Sequence, residues 1–336
     1  MGSLFSSAED DAPPAAWRLG GEREAIARRL GREEGGAVRW ACRVDAVEPG
    51  SEAFEALRLT IDDERERARV LAFAKPADQK RALVSRVLVR RCARVGLVDA
   101  YEGVTRTARG KPYAVARGAP PHANFNFSVS HDGDYVLVAS EPLALVGVDV
   151  CGGKERCEAL SESLEPYRAA FAAGEWAAFF SGGVDLDAFL ALWACKEAFA
   201  KALGQGLAYD LSRVEFVGYA RGGRGPFASA HVVLDGRVDR RWRVDVAFLD
   251  DWHCAAVCRG PPGDGLLPFF AAPGAGRDGG PAWRRVLDEA RPPFKFVELQ
   301  QTIYTASPND ADDDFCERSD CESLRASRVW RRTKSA

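Results

Sequence analysis

Residues 124–140 read NFNFSVSHDGDYVLVAS. Polar and apolar side chains alternate over 124–130, the period-two pattern of a half-buried strand. Asp132-Gly133 is a hairpin turn signal, and Tyr135, Val136, Leu137 and Val138 form a second β-rich run. A hairpin accounts for this whole stretch without His131, one of only four histidines in the chain. That ring falls where the first strand meets its turn, and its purpose has to be sought elsewhere in the sequence.

Upstream of the hairpin, folded sequence starts near Val38-Arg39-Trp40-Ala41-Cys42. Residues 62–97 are helical in pattern, as DDERERARVLAF and then DQKRALVSRVLVRRCARVGL. Leu83 and Val87, and Val84 and Leu88, recur at i and i+4 with arginines between them. A loop, TRTARGKPY, leads from these helices towards the hairpin. Downstream comes an apolar strand, Leu145-Val146-Gly147-Val148-Asp149-Val150, then helical material over 166–180. A strong helix runs from about 185 to 203 and stops at Gly204, the C′ residue. Residues 213–218, 231–234, 242–248 and 253–258 read as strands with Gly-rich turns between them. Helices, strands, helices, strands in that order predict an α+β protein in two halves, 37–141 and 142–260. Residues 1–36 read as a mobile extension, and 261–336, with its Pro-Gly and Asp clusters, as a mostly disordered tail in which 294–304 adds a local strand.

The bulk numbers exclude several function classes. A chain of 336 residues with a net charge of −3 shows no general nucleic-acid signature. Its apolar runs are too short to span a bilayer, and the N-terminus lacks a signal-peptide pattern. Nine scattered cysteines without a CxxC pair read as reduced thiols of a cytoplasmic protein rather than a metal site, even where Cys254 and Cys258 flank His253. The start MGSLFS has N-myristoylation spacing at Gly2, but no polybasic run provides a second membrane signal.

Three features sit uneasily with packing alone. Asp149 lies in an apolar strand, where an ionised carboxylate costs several kcal/mol unless a cation or donors compensate it; otherwise the strand ends there and the side chain is solvated. Glu197 shares a helical face with Leu186, Leu190, Trp193 and Ala200, and Lys201 follows it at i+4, the spacing of a plain surface ion pair. Arg106, Thr107, Ala108, Arg109, Gly110 and Lys111 put three cations around a tight turn, either a solvated basic loop or a phosphate cradle. Arg67, in ERERAR, reads most simply as a surface residue. Together, two carboxylates, a nearby lysine, a basic loop and a histidine suit a hard divalent cation bridging a polyphosphate. Neither a Walker A nor a Rossmann glycine fingerprint is present.

The ordered set FNFSVSHDGDY, VGVDV and WACKEAFAKALGQGL resembles the 4′-phosphopantetheinyl transferases. The likeness is to the monomeric surfactin-synthetase-activating type, and above all to its eukaryotic aminoadipate-semialdehyde-dehydrogenase branch. The ARGKPY loop and Phe171 with Glu175-Trp176 match as well, and the similarity spans roughly residues 38–259. The resemblance implies a pseudo-duplicated fold, two similar α/β halves with the active site between them. It implies transfer of phosphopantetheine from coenzyme A to a serine of an apo carrier protein domain, with 3′,5′-ADP as the leaving group. On that reading Asp149 and Glu197 ligate Mg²⁺, Glu197 accepts the serine proton and Lys201 stabilises phosphate charge. Arg67, the loop Arg106 to Lys111, and Ser128, Val129, Ser130 and His131 hold coenzyme A, with a protonated His131 near its phosphates. Two positions depart from the family pattern. Cys151 stands where many bacterial members have an acid, and Ser128 where many have Asn. Two other classes remain open at this point: a coenzyme A or carrier-binding module without turnover, and a metal-dependent phosphodiesterase, which would release free phosphopantetheine without any carrier.

Overall fold

The computed structural model describes residues 37–299 apart from 46, 119–121, 123, 218–226, 266–282, 285–286, 288–293 and 298. The extension 1–36 with its Gly2 signal, and residues 300–336, lie outside the described residues.

Two antiparallel sheets form the centre. The hairpin read from the sequence is present as β4 (Asn126–Asp132) and β5 (Tyr135–Glu141), paired from Asn126↔Glu141 to Asp132↔Tyr135. Gly133 opens its two-residue turn at a φ of 50°, a left-handed conformation glycine adopts without steric cost. With β1 (Val38–Arg43) and β11 (Lys295–Phe296) it makes a sheet in the order β11-β1-β5-β4. The second sheet runs β6-β10-β9-β8-β7, with β6 at Leu145–Gly152, β7 at Val214–Val217, β8 at Phe227–Leu234, β9 at Arg237–Phe248 and β10 at His253–Gly260.

Period-two alternation decides what each face meets. On β5, Val136 and Val138 pack with Leu83, Val87 and Leu88 of helix α3 (Pro76–Leu97). Its other face, Tyr135, Leu137 and Ala139, packs on Val146, Val148 and Val150 of β6 and on Ala255 and Val257 of β10. The opposite faces of β6 and β10, including Leu145, Cys254, Ala256 and Cys258, bury against helix α6 (Leu186–Leu203). The layers are therefore helix, sheet, sheet, helix, with one helix and one sheet from each half. This is the α+β pseudo-duplicated architecture expected.

Several elements escaped the sequence reading. Helices α1 (Glu52–Leu59) and α2 (Glu64–Leu71) precede α3, and only α2 lies in the stretch read as helical. The TRTARGKPY loop joins two strands, β2 (Tyr101–Arg106) and β3 (Pro112–Ala116). Helices α4 (Lys154–Glu162) and α5 (Ala173–Phe179) follow β6, the first of them unanticipated. Beyond residue 260 the local strand read within 294–304 is present as β11. Lys295 and Phe296 pair in parallel with Trp40 and Ala41, and Trp283, Leu287, Phe294 and Leu299 are buried.

Candidate active site

Strand β4 runs beside β6, and its even-numbered side chains stitch the two halves together. Asn126 Nδ2 donates to the Ala144 carbonyl at 2.7 Å, while its Oδ1 accepts from the Val146 N–H at 2.9 Å. Ser130 Oγ donates to Asp149 Oδ1 at 2.7 Å. Asp132 Oδ2 accepts from the Gly152 N–H at 3.0 Å and from Arg156 Nη1 at 2.8 Å. The polar half of the alternation seen in the sequence is thus a seam between sheets.

Helix α6 closes over β6 from the other side. Asp185 caps its start by accepting from the Ala188 N–H at 3.0 Å, and Gly204 ends it in the left-handed conformation. Gly147 sets how close the helix comes. A Cβ there would lie 1.9 Å from the Ala198 carbonyl oxygen and 2.4 Å from the Ala202 nitrogen. Only glycine admits that approach, and Asp149, two residues on along the same face, meets the helix as a result.

Asp149 lies inside the strand and is 5% exposed, so the solvated alternative falls away. Lys201 Nζ donates to Asp149 Oδ1 at 2.6 Å and to Ser130 Oγ at 2.7 Å. Burial pushes the Asp149 carboxyl up, and Lys201 is the main opposing influence. The expected Glu197–Lys201 pair is not formed, because Lys201 turns to Asp149 instead. Among the described residues Glu197 has no ion pair, and it is half-buried. Desolvation and the Asp149 charge raise its pKa, partly offset by Lys201 and Arg156. Two carboxylates that disfavour each other's ionisation, with one lacking a partner, fit a hard cation with two protein oxygens and the remaining positions left to water and substrate. Cys151 is buried, and burial pushes its thiol well above the ordinary range. Among the described residues no group of three or more His, Cys, Asp or Glu side chains could hold a metal ion.

His131 stands on the opposite face of β4, open to solvent. Its pKa is lowered, by desolvation first and then by Lys201 and Arg81, with Asp132 working the other way. Val129, on the same face, lines a cavity of about 310 Å³ together with Arg65, Arg69, Arg86, Arg90 and Arg106. Glu66 holds two of these guanidiniums, Arg86 at 2.8 Å and Arg69 at 2.5 Å. The sequence reading found only Arg106. Arg65–Arg69 and Arg86–Arg90, both i,i+4 pairs on consecutive helices, carried the missed signal.

Other predicted residues are placed differently. Arg67 Nη1 donates to the Ile61 carbonyl at 2.6 Å and is not among the residues lining that cavity. Ala108, Arg109 and Gly110 are exposed at the turn tip, while the Thr107 N–H donates to the Lys111 carbonyl at 2.9 Å and closes the loop. The Lys111 side chain points inward, is buried, and donates to the Lys201, Ala202 and Val146 carbonyls. Its ammonium group has no share in the exposed phosphate cradle that was expected. Burial pushes its pKa down to about 7. Ser128 is buried on the seam face. His253 turns to Asp250, with Nδ1 to Oδ1 at 2.9 Å, and accepts from the Asp134 N–H at 3.3 Å, away from the α6 face that holds Cys254 and Cys258.

One motif residue had been given no role. Lys196 is fully buried and pairs with Glu175 at 2.7 Å, beneath the Phe171 ring at 5.2 Å. Phe171 and Glu175, matched together in the sequence, and Lys196 of the WACKEA stretch form one buried cluster that anchors α5 to α6.

The family comparisons agree with this architecture. Residues 46–143 match the profile of the 4′-phosphopantetheinyl transferase N-terminal region, and residues 145–257 that of the 4′-phosphopantetheinyl transferase superfamily. An L-aminoadipate-semialdehyde dehydrogenase-phosphopantetheinyl transferase of Mus musculus is 32% identical over 242 residues, covering 67% of this chain and 76% of the relative. A phosphopantetheinyl transferase of Thraustochytrium is 33% identical over 260 residues, 74% of this chain and 83% of its own. A 4′-phosphopantetheinyl transferase of Bacillus pumilus is 31% identical over 161 residues, 47% of this chain and 64% of its own. The two matched profiles fall on the two halves, each a helix-and-sheet pair, and make the chain a two-halved transferase. The chain belongs to the 4′-phosphopantetheinyl transferase superfamily, and to the branch that includes the aminoadipate-semialdehyde dehydrogenase-activating enzymes.

Proposed function

We propose that this transferase moves 4′-phosphopantetheine from coenzyme A to a serine hydroxyl of an apo acyl or peptidyl carrier protein, with Mg²⁺ held by Asp149 and Glu197. The serine oxygen forms a bond to the phosphorus bearing the pantetheine arm. The P–O bond to the other phosphate breaks, and 3′,5′-ADP leaves with that electron pair. Glu197 accepts the serine proton. Its raised pKa brings it closer to the operating pH, where a general base works best. Lys201 stays beside the phosphates and offsets charge in the transition state. Bound Mg²⁺ would neutralise charge on the pyrophosphate oxygens. Arg106, with the arginines lining the adjoining cavity, supplies donors for the remaining phosphate of coenzyme A. Exposed His131, next to Ser130 on β4, is a further donor, and phosphate binding raises its pKa from the lowered ligand-free value.

The observation that carries the reading is the buried Asp149–Lys201–Ser130 contact across the two halves, with the unpaired Glu197 one helical turn away. Both halves of the site lie on one chain, so the enzyme is proposed to act as a monomer. The seven described cysteines are all buried thiols, which supports a reducing, cytoplasmic setting. Mass spectrometry of an apo carrier protein incubated with the enzyme, coenzyme A and Mg²⁺ tests the proposal. The expected result is a gain of one phosphopantetheine, lost when EDTA is added. Free phosphopantetheine with an unmodified carrier would make the chain a hydrolase, and coenzyme A binding without either product a binding module.

A further inference from the structure

Lys111 was expected to face coenzyme A, and its ammonium instead lies between the halves. Nζ donates to the Lys201 carbonyl at 2.6 Å, the Ala202 carbonyl at 3.1 Å and the Val146 carbonyl at 3.2 Å. An ammonium has three protons, and here three acceptors take them. Two of those carbonyls belong to the last turn of α6, whose dipole favours a cation, and the Lys201 carbonyl also accepts from the Gly204 N–H at 3.1 Å. The third belongs to β6, one residue before Gly147, where the helix touches the strand. The lysine itself comes from the β2–β3 hairpin of the first half, whose loop is closed by its own bonds. The Thr107 N–H donates to the Lys111 carbonyl at 2.9 Å, and the Lys111 N–H to Thr107 Oγ1 at 3.1 Å.

We infer that Lys111 is a positioning residue that fixes the last turn of α6 against β6 and so sets where Lys201 meets Asp149. The inference rests on the reading of Lys201 as the cation at the reacting phosphates. One residue of the first half thereby links the basic loop to the helix carrying Glu197 and Lys201. Its action runs through the backbone carbonyl of Lys201 itself, so it should affect turnover more than affinity.

The test compares Lys111→Met, which keeps the chain length and removes the three donors, in two backgrounds, wild type and Lys201→Ala. Transfer to an apo carrier is followed at varied coenzyme A, with near-ultraviolet circular dichroism as the check on folding. In the wild-type background kcat falls by about tenfold to a hundredfold, the scale of a misplaced catalytic group, while KM for coenzyme A stays within about twofold. In the Lys201→Ala background the further loss is less than about twofold, because groups that act as a unit are not additive. Equal losses in both backgrounds would show a general structural role and overturn the inference. A KM rise with kcat retained would make the side chain a coenzyme A ligand and overturn it equally. Should the methionine variant not fold, Lys111→Gln, which keeps two N–H donors, is read by the same criteria. Absence of transfer by the wild-type chain removes the transferase reading and this inference with it. Normal wild-type transfer with an unaffected Lys111→Met removes the inference alone.

Discussion

A carboxylate buried in an apolar strand costs several kcal/mol unless it is compensated, and Asp149 is compensated twice, by Lys201 and by Ser130. Glu197 has no such partner among the described residues, so its charge is held back by burial and by Asp149. The sign of the pH effect follows. A general base must be ionised, and a raised pKa moves the loss of activity to higher pH than an ordinary glutamate, near 4.3, would give. The acid limb of the kcat/KM profile, which reports the groups of the free enzyme, should lie above that value. A limb at or below the ordinary glutamate range would remove Glu197 from the role of base.

At the scale of elements, two contacts besides Lys111 bear on where α6 sits. Gly147→Ala puts a methyl into the Ala198 carbonyl, and the helix must move away. Overpacking of this kind costs about 1–3 kcal/mol. Transfer should fall by more than the stability loss implies, because the Lys201–Asp149 contact opens; an unchanged kcat at full occupancy of the folded state would contradict this. Lys196 and Glu175 form the second contact. Lys196→Met leaves Glu175 buried and uncompensated, with an expected loss of about 3–5 kcal/mol in urea unfolding. Adding Glu175→Leu to it should recover much of that loss, since a buried ion pair contributes little net stability over apolar residues of similar volume. Equal instability of the double variant would mean that the other bonds of Glu175, to the Phe216 and Ala172 N–H groups, matter more.

Across the whole molecule, the two halves meet in a sheet-on-sheet core and in the seam from Asn126 to Asp132. The chain carries both halves of the site, so activity should follow the monomer peak in size-exclusion chromatography with light scattering. Activity confined to a dimer fraction would contradict this. Much of the architecture was legible because long periodic runs declare themselves: the α3 stripe, the α6 stripe with its Gly204 stop, and the hairpin with its Gly133 turn. The site residues that stood out were those that broke a pattern, Asp149 in its apolar strand and Glu197 on an apolar face. Direction was not legible. Spacing set Glu197 beside Lys201 on α6, but only the packing of β6 against α6 turns that lysine to Asp149. Composition likewise put Lys111 in a basic loop, yet a side chain at a strand edge can face either way, and tertiary contacts turn this one inward. The arginine cavity was hidden because it joins residues of α2, α3 and β2 that are far apart in sequence. The local strand within 294–304 was legible, but its parallel pairing with β1, more than 250 residues earlier, was hidden for the same reason.

The most direct measurement is single-turnover transfer by Glu197→Gln at saturating coenzyme A, Mg²⁺ and apo carrier, beside its far-ultraviolet circular dichroism. The expected result is an unchanged spectrum and a rate lowered by about 10²–10⁴, the contribution of a positioned base. A rate near that of the wild type in a folded variant would contradict it.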